Sequence, residues 1–160
     1  MRVWLFSELV LLLVIANATP VIISMLLGNR WQQPLDRGLV LSDGQPLLGN
    51  SKTVRGLLGS ISICTLLAPL FDLSQLQGAG FGALTMLGDL ASSFCKRRLG
   101  LRSGRSVPLL DQLPETLLPL WVMQPALGAG VLEMAAAIAA FTAIDLLFTR
   151  LLRGCHVHCS

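Results

Sequence analysis

The chain has 160 residues, of which 53% are hydrophobic and 13% charged, about half the roughly 25% charge of a soluble domain. With a mean hydropathy of +0.69, this excludes an ordinary water-soluble fold and makes lipid the solvent. The formal net charge of +3 is too small to call for nucleic acid, so the placement of the cations carries the information.

A helix needs about 20 apolar residues to cross the hydrocarbon. The pattern predicts an all-α, polytopic membrane protein of about five transmembrane helices, with residues 1–160 forming a single membrane domain, since no linker, charge block or repeat divides it. The first helix is predicted over 3–27. Ala16-Asn17-Ala18 resembles a leader-cleavage pattern, but Glu8 interrupts the apolar run and apolarity continues from Val21 to Leu27, so a retained helix is expected. A polar loop follows over 28–56. Helices over 57–71 and 78–95 form a hairpin closed by a tight turn at Asp72 to Gln77. A second polar loop occupies 96–113, and two last helices are placed at 114–127 and 130–152. The fourth is expected to be short, kinked or partly re-entrant, because Pro119 and Pro125 each remove a backbone donor.

Charge sets the orientation. Loop one holds Arg30, Arg37, Lys52 and Arg55; loop two holds Lys96, Arg97, Arg98, Arg102 and Arg105; the tail adds Arg150 and Arg153. Five helices put all of these on one side and leave only Arg2 of the 12 Lys and Arg on the other. The N-terminus is therefore expected outside, with both loops and the tail cytoplasmic, in the cell (inner) membrane. Trp4 and Trp31 fall near predicted boundaries, where indoles anchor helices. Cys64, Cys95, Cys155 and Cys159 are expected to stay reduced. The crowded Cys155-His156-Val157-His158-Cys159 tail cannot readily close a tetrahedron around zinc and is read as a plain cytoplasmic tail.

Two places gather polar chemistry. Gly49-Asn50-Ser51-Lys52-Thr53-Val54-Arg55-Gly56 sets two cations and free backbone N–H groups before a helix, a combination that attracts phosphate. It is not a P-loop, because Lys52 follows Gly49 by three residues and no buried strand precedes it. The bland alternative is that Lys52 and Arg55 anchor the helix at lipid headgroups. The third helix closes with Asp89, Ser93 and Lys96 at i, i+4 and i+7, on one face. An aspartate this far inside a spanning helix needs a polar cavity, a metal or a cationic partner. Loop two returns a second acid, Asp111, to the same surface. Two carboxylates and several cations there suit a magnesium–nucleotide site.

At these residues the chain resembles the CDP-archaeol synthase family, membrane cytidylyltransferases distantly related to the CDP-diacylglycerol synthases. The likeness runs in order through Ala16-Asn17-Ala18-Thr19-Pro20, Pro34-Leu35-Asp36-Arg37-Gly38, Gly49 to Gly56, Gly88-Asp89, Ser93, Lys96 to Gly100, and Pro108-Leu109-Leu110-Asp111-Gln112-Leu113. Arg102-Ser103 stands where the diacylglycerol-type enzymes have Lys-Asp, and their Pro-Gly-His-Gly-Gly stretch has no counterpart, which favours the archaeol branch. Pro114 replaces a frequent acid, with Glu115 beside it, and Asn50 replaces a frequent Asp.

The resemblance implies transfer of CMP from CTP to a membrane lipid phosphate, giving a CDP-lipid and pyrophosphate. It implies that Asp89 and Asp111 hold Mg2+, that Lys52 and Arg55 cradle phosphates, and that Lys96 and Arg97 stabilise the leaving pyrophosphate. Asp36, Asn50 and Thr53 would shape the nucleotide pocket, with Ser93 and Arg98 also contacting substrate. The expected partners are CTP, a lipid phosphate and the bilayer; nothing in the sequence excludes a homo-oligomer. The competing reading is a non-catalytic transporter subunit or scaffold in which Glu8, Asp89, Glu133 and Asp145 serve an ion path or helix pairing.

Overall fold

A computed structural model of the chain describes residues 2–103, 107 and 109–157, and side chains as far as residue 149. Arg105, Pro108 and the side chains of Arg150, Arg153 and the Cys/His tail lie outside the described residues. The elements are α1 (Val3–Leu27), α2 (Val54–Leu67) running into a 3-10 turn (Ala68–Phe71), α3 (Gln75–Arg98), α4 (Gln112–Val122), α5 (Gln124–Leu127) and α6 (Val131–Val157). The fold is all-helical: among the described residues there are no strands, only isolated bridges pairing Pro34 with Thr53 and Val40 with Pro46.

Among the described residues, three helices are long and apolar enough to cross a membrane: Val3–Leu27, Val54–Phe71 and Val131–Thr149. The outer surface is apolar, with Leu11, Leu26, Leu66, Leu132 and Leu147 all exposed, as expected where the surroundings are lipid. The helix α3 is long, with 24 residues, but less apolar. It packs against α1, α2 and α4 and buries Gly78, Phe81, Gly82, Thr85, Met86 and Gly88. A helix walled in by other helices needs small residues for close approach more than it needs greasy ones.

Several ends differ from the sequence expectation for physical reasons. The helix α2 starts three residues before Leu57, because Thr53 caps it by accepting a bond from Gly56 N at 3.3 Å. The helix α3 starts at Gln75, where Ser74 and Gln77 form a capping box, so the turn after the 3-10 segment is shorter than predicted. The fourth helix is two pieces. Helix α4 ends at Met123, whose N–H bonds Pro119 O at 3.0 Å, and α5 restarts with Pro125 in its first turn, where a missing N–H costs nothing.

The core runs along one face of α1 through Leu5, Leu9, Leu12, Leu13 and Ala16, meeting Cys64, Phe81, Leu120, Ala137 and Phe141. Pro20 lies inside α1 and has no N–H to offer the carbonyl of Ala16. Ser60 on α2 supplies the missing donor, its hydroxyl bonding Ala16 O at 2.7 Å in the buried interface. Glycines set the helix spacing: a Cβ at Gly78 would come within 2.5 Å of Cys64 O, and one at Gly82 within 3.0 Å of Ile61 Cα.

Candidate active site

At the end of the bundle that carries both polar loops, a cavity of about 550 Å³ opens. Its walls come from α1 (Asn17, Pro20, Ser24), from loop one and the start of α2 (Lys52, Thr53, Gly56), and from α3 (Asp89, Ser93, Lys96, Arg97). Asp111, Glu115 on α4 and Asp145 on α6 complete it.

Two ion pairs organise this space. Lys52 Nζ lies 2.6 Å from both carboxylate oxygens of Asp89, and Lys96 Nζ lies 2.6 Å from Asp111 Oδ1. The cationic partner that the sequence offered as the bland alternative for Asp89 is therefore present, but it is Lys52, delivered by the other loop into the same cavity. The two loops also touch each other. Ser103 Oγ donates to Ser51 Oγ at 3.3 Å, and Gly49, at φ +93°, lies so close to Ser103 that a Cβ there would sit 2.7 Å from its hydroxyl.

Of the residues singled out from the sequence, Lys52, Thr53, Asp89, Ser93, Lys96, Arg97 and Asp111 line the cavity. Arg97 is nearly fully buried and donates to Arg102 O at 2.8 Å. The remaining four are not among the lining residues. Asp36 is a loop organiser. Its carboxylate accepts from Leu48 N and Gly49 N, each at 2.9 Å, and from Gly38 N at 3.1 Å. Burial works against this charge, but the backbone donors outweigh it and hold the carboxyl below its ordinary range. Arg55 turns to the end of α1, donating to Gly28 O at 2.8 Å, to Arg30 O and to Ser24 Oγ; a cation there complements the carbonyl end of a helix. Arg98 ties loop one to α3 through Asp43 and Pro46 O, and Asn50 is exposed beside Gly49.

Three further side chains, at the cavity or bonded to one that lines it, had not been placed there by sequence. Gln112 is fully buried; its amide donates to Asp145 Oδ2 at 2.7 Å and accepts from Leu109 N at 2.6 Å. It thereby fastens the end of loop two to α6. Glu115, 7% exposed, and Asp145 add carboxylates to the cavity floor. Their only sequence signal was an acid within an apolar stretch. The acids Glu8 and Glu133 lie elsewhere: Glu8 lines a small pocket with Arg2 and Asp72, and Glu133 caps α6 by accepting from Gly130 N at 3.1 Å.

Among the described residues no three His, Cys, Asp or Glu side chains gather as an all-protein metal site. Hard carboxylate oxygens in the numbers present suit Mg2+ nonetheless, because that ion is usually held by one or two carboxylates and completed by phosphates and water.

Residues 75–153 match the family model described as CarS-like, CDP-archaeol synthase. The CDP-archaeol synthase of Aeropyrum pernix is 38% identical over 79% of this chain and 80% of its own length, and that of Hyperthermus butylicus is 37% identical over 85% and 80%. A solved structure of an intramembrane enzyme for archaeal membrane lipids biosynthesis superposes with a TM-score of 0.72 at 38% identity, covering 88% of this chain and 90% of that one.

Proposed function

The chain belongs to the CDP-archaeol synthase family and is a membrane cytidylyltransferase that produces a CDP-lipid; from this we propose that CMP passes from CTP to a lipid phosphate inside the cavity beneath the two polar loops. The observation that carries this reading is the convergence of Lys52, Asp89, Lys96 and Asp111, from separate stretches of chain, on one cavity.

A lipid phosphate monoester is its own nucleophile near neutral pH, so the protein's task is alignment and charge neutralisation. A phosphate oxygen of the lipid attacks the α-phosphorus of CTP, the bond to the bridging oxygen breaks, and pyrophosphate leaves with that electron pair. Asp89 and Asp111 would hold Mg2+, which when bound would offset the triphosphate charge. Lys52 meets the incoming phosphates at the start of α2, and Lys96 and Arg97 face the departing pyrophosphate. Thr53 and Ser93 offer hydroxyls along the same wall. Asp36, Asn50, Arg55 and Arg98 act one step back, by fixing the loops that carry Lys52 and Lys96.

The five-pass topology is part of the proposal, with α1, α2, α3, α4–α5 and α6 each crossing once and both loops cytoplasmic. It is supported by the charge asymmetry and by the gathering of Arg2, Asp72 and Ala126 around the small pocket, away from the loop-bearing end. The substrate lipid is archaeol phosphate or a close relative, as the family name suggests, and residues 1–160 act as one membrane domain.

The test is a CTP- and Mg2+-dependent assay of purified protein with archaeol phosphate and with phosphatidate. Asp89→Asn and Asp111→Asn should each lose at least about 100-fold in turnover. Undiminished turnover in both variants would sink the metal assignment, and absence of CTP consumption with any lipid phosphate would sink the substrate reading.

A further inference from the structure

Two ammonium groups occupy the coordination space of the carboxylates assigned to the metal. Lys52 Nζ engages both oxygens of Asp89, each at 2.6 Å, and Lys96 Nζ lies 2.6 Å from Asp111 Oδ1. The side chains of the first pair are 20% and 21% exposed, those of the second 9% and 17%. At that depth breaking a pair and leaving one charge uncompensated is far more costly than at the surface.

We infer that Lys52 and Lys96 are place-holders, so that the divalent ion and the triphosphate enter the site together or not at all. The inference rests on the assignment of Asp89 and Asp111 as the metal ligands. A divalent ion arriving alone would have to strip both carboxylates from their lysines and would strand two ammonium groups beside a dication. A triphosphate arriving alone would draw the lysines away and strand two carboxylates beside a polyanion. When both arrive, each Lys–carboxylate contact is exchanged for one metal–carboxylate and one Lys–phosphate contact, and no charge is orphaned. Coupling of this kind is reciprocal: each ligand raises the affinity of the other by the same factor. Departure of pyrophosphate then removes the phosphate partners of the lysines, which return to Asp89 and Asp111 and expel the metal, resetting the site.

The experiment measures Mn2+ retained by the purified full-length chain in detergent. Equilibrium dialysis is run with and without α,β-methylene CTP, which cannot transfer CMP, and protein-free controls are subtracted. The wild-type chain should bind Mn2+ about 100-fold more tightly with the analogue than without it. The Lys52→Gln/Lys96→Gln double variant should bind Mn2+ alone at least about 10-fold more tightly than the wild type, and adding Asp89→Asn should abolish that gain. Equal Mn2+ affinity of the wild type with and without the analogue overturns the exchange, a comparison that needs no substitution and stands even where the double variant fails to fold. So does a folded double variant with no gain. A gain that survives both Asp89→Asn and Asp111→Asn overturns the metal assignment instead, which separates the two failures.

Discussion

Gly88 is the point on which the geometry of the two aspartates turns. A Cβ added there would stand 2.2 Å from Pro114 O, 2.5 Å from Pro114 C and 2.6 Å from Glu115 Cα. All three are backbone atoms, so no side chain can rotate out of the way, and the start of α4 must withdraw from α3 by about 1 Å to restore ordinary contact. Asp89 is the next residue on α3, while Asp111 and Glu115 flank Pro114, so the withdrawal passes directly into the spacing of the carboxylates. A misplacement of about 1 Å costs about 100-fold in rate. Stability should change less: overpacking costs about 1–3 kcal/mol, partly offset by about 1 kcal/mol of helix propensity gained on replacing Gly. Gly88→Ala should therefore yield a folded, membrane-inserted protein with kcat/KM for CTP down about 100-fold. The control is Gly80→Ala, where the nearest atom to the new Cβ is Met123 Sδ at 4.0 Å; it should remain active. Pyrophosphate release with a lipid phosphate acceptor, paired with thermal unfolding in detergent, reads both quantities. Turnover of Gly88→Ala equal to that of Gly80→Ala would show that the α3–α4 contact does not set the site.

Asp36→Asn should lower stability by about 1.5–3 kcal/mol at neutral pH, because a charge-assisted acceptor of three backbone N–H groups is replaced by a neutral one. The Asp36 carboxyl sits below its ordinary value of 3.8, so its contribution is complete above that range and is lost as pH falls through the lowered value. The gap in Tm between wild type and variant should narrow on acidification below about pH 4, and parallel curves would refute the assignment. Gln112→Leu removes the bonds to Asp145 and Leu109 N, both only part-buried, at about 0.5–1.5 kcal/mol for each bond lost; Tm and turnover should both fall, and no change in either would remove Gln112 from the site's support. In a chain freed of its native cysteines, Asp43→Cys and Asp72→Cys should react with an impermeant maleimide from opposite faces of oriented vesicles. Labelling from the same face would overturn the five-pass topology.

How far the sequence could be read depends on what each residue's partner is. Asp89 stood out because a charge inside an apolar helix must have a purpose and Asp111 because loop two returns it to the same surface, and the structure brings both to one cavity. Arg55 stood out as a cation at a helix start and Asp36 through the family likeness, yet their partners are the carbonyls of Gly28 and Arg30 and the N–H groups of Leu48 and Gly49. Main-chain groups leave no mark in a residue pattern, so a loop-building charge and a substrate-binding charge look alike in sequence. Helix ends were displaced because hydropathy marks where lipid begins, whereas capping marks where the helix begins. Thr53 and Ser74 start α2 and α3 three residues ahead of the apolar runs. Lys96 and Arg97 are the mirror case: they read as the polar end of a span, but they are buried, and α3 continues through them to Arg98.

The hydrogen bond that Pro20 removes from α1 links the apolar fold to the charged site. Pro20 frees the carbonyl of Ala16, Ser60 takes it, and Gly56 is bare enough that a Cβ there would stand 3.1 Å from Pro20 Cβ. These two contacts hold the second half of α1 against the first turns of α2, so that Asn17, Val21 and Ser24 line the same cavity as Asp89 and Ser93. Val21 lines that cavity and is 41% exposed. The cavity is thus lined by charged loop residues and also by apolar ones such as Val21 and Leu57, the two boundaries that a phosphate carried on acyl or isoprenoid chains would meet. An enzyme whose acceptor is a phosphate attached to such chains needs both boundaries at once, because a purely aqueous site would require the lipid to leave the membrane and a purely apolar one would leave the triphosphate uncompensated.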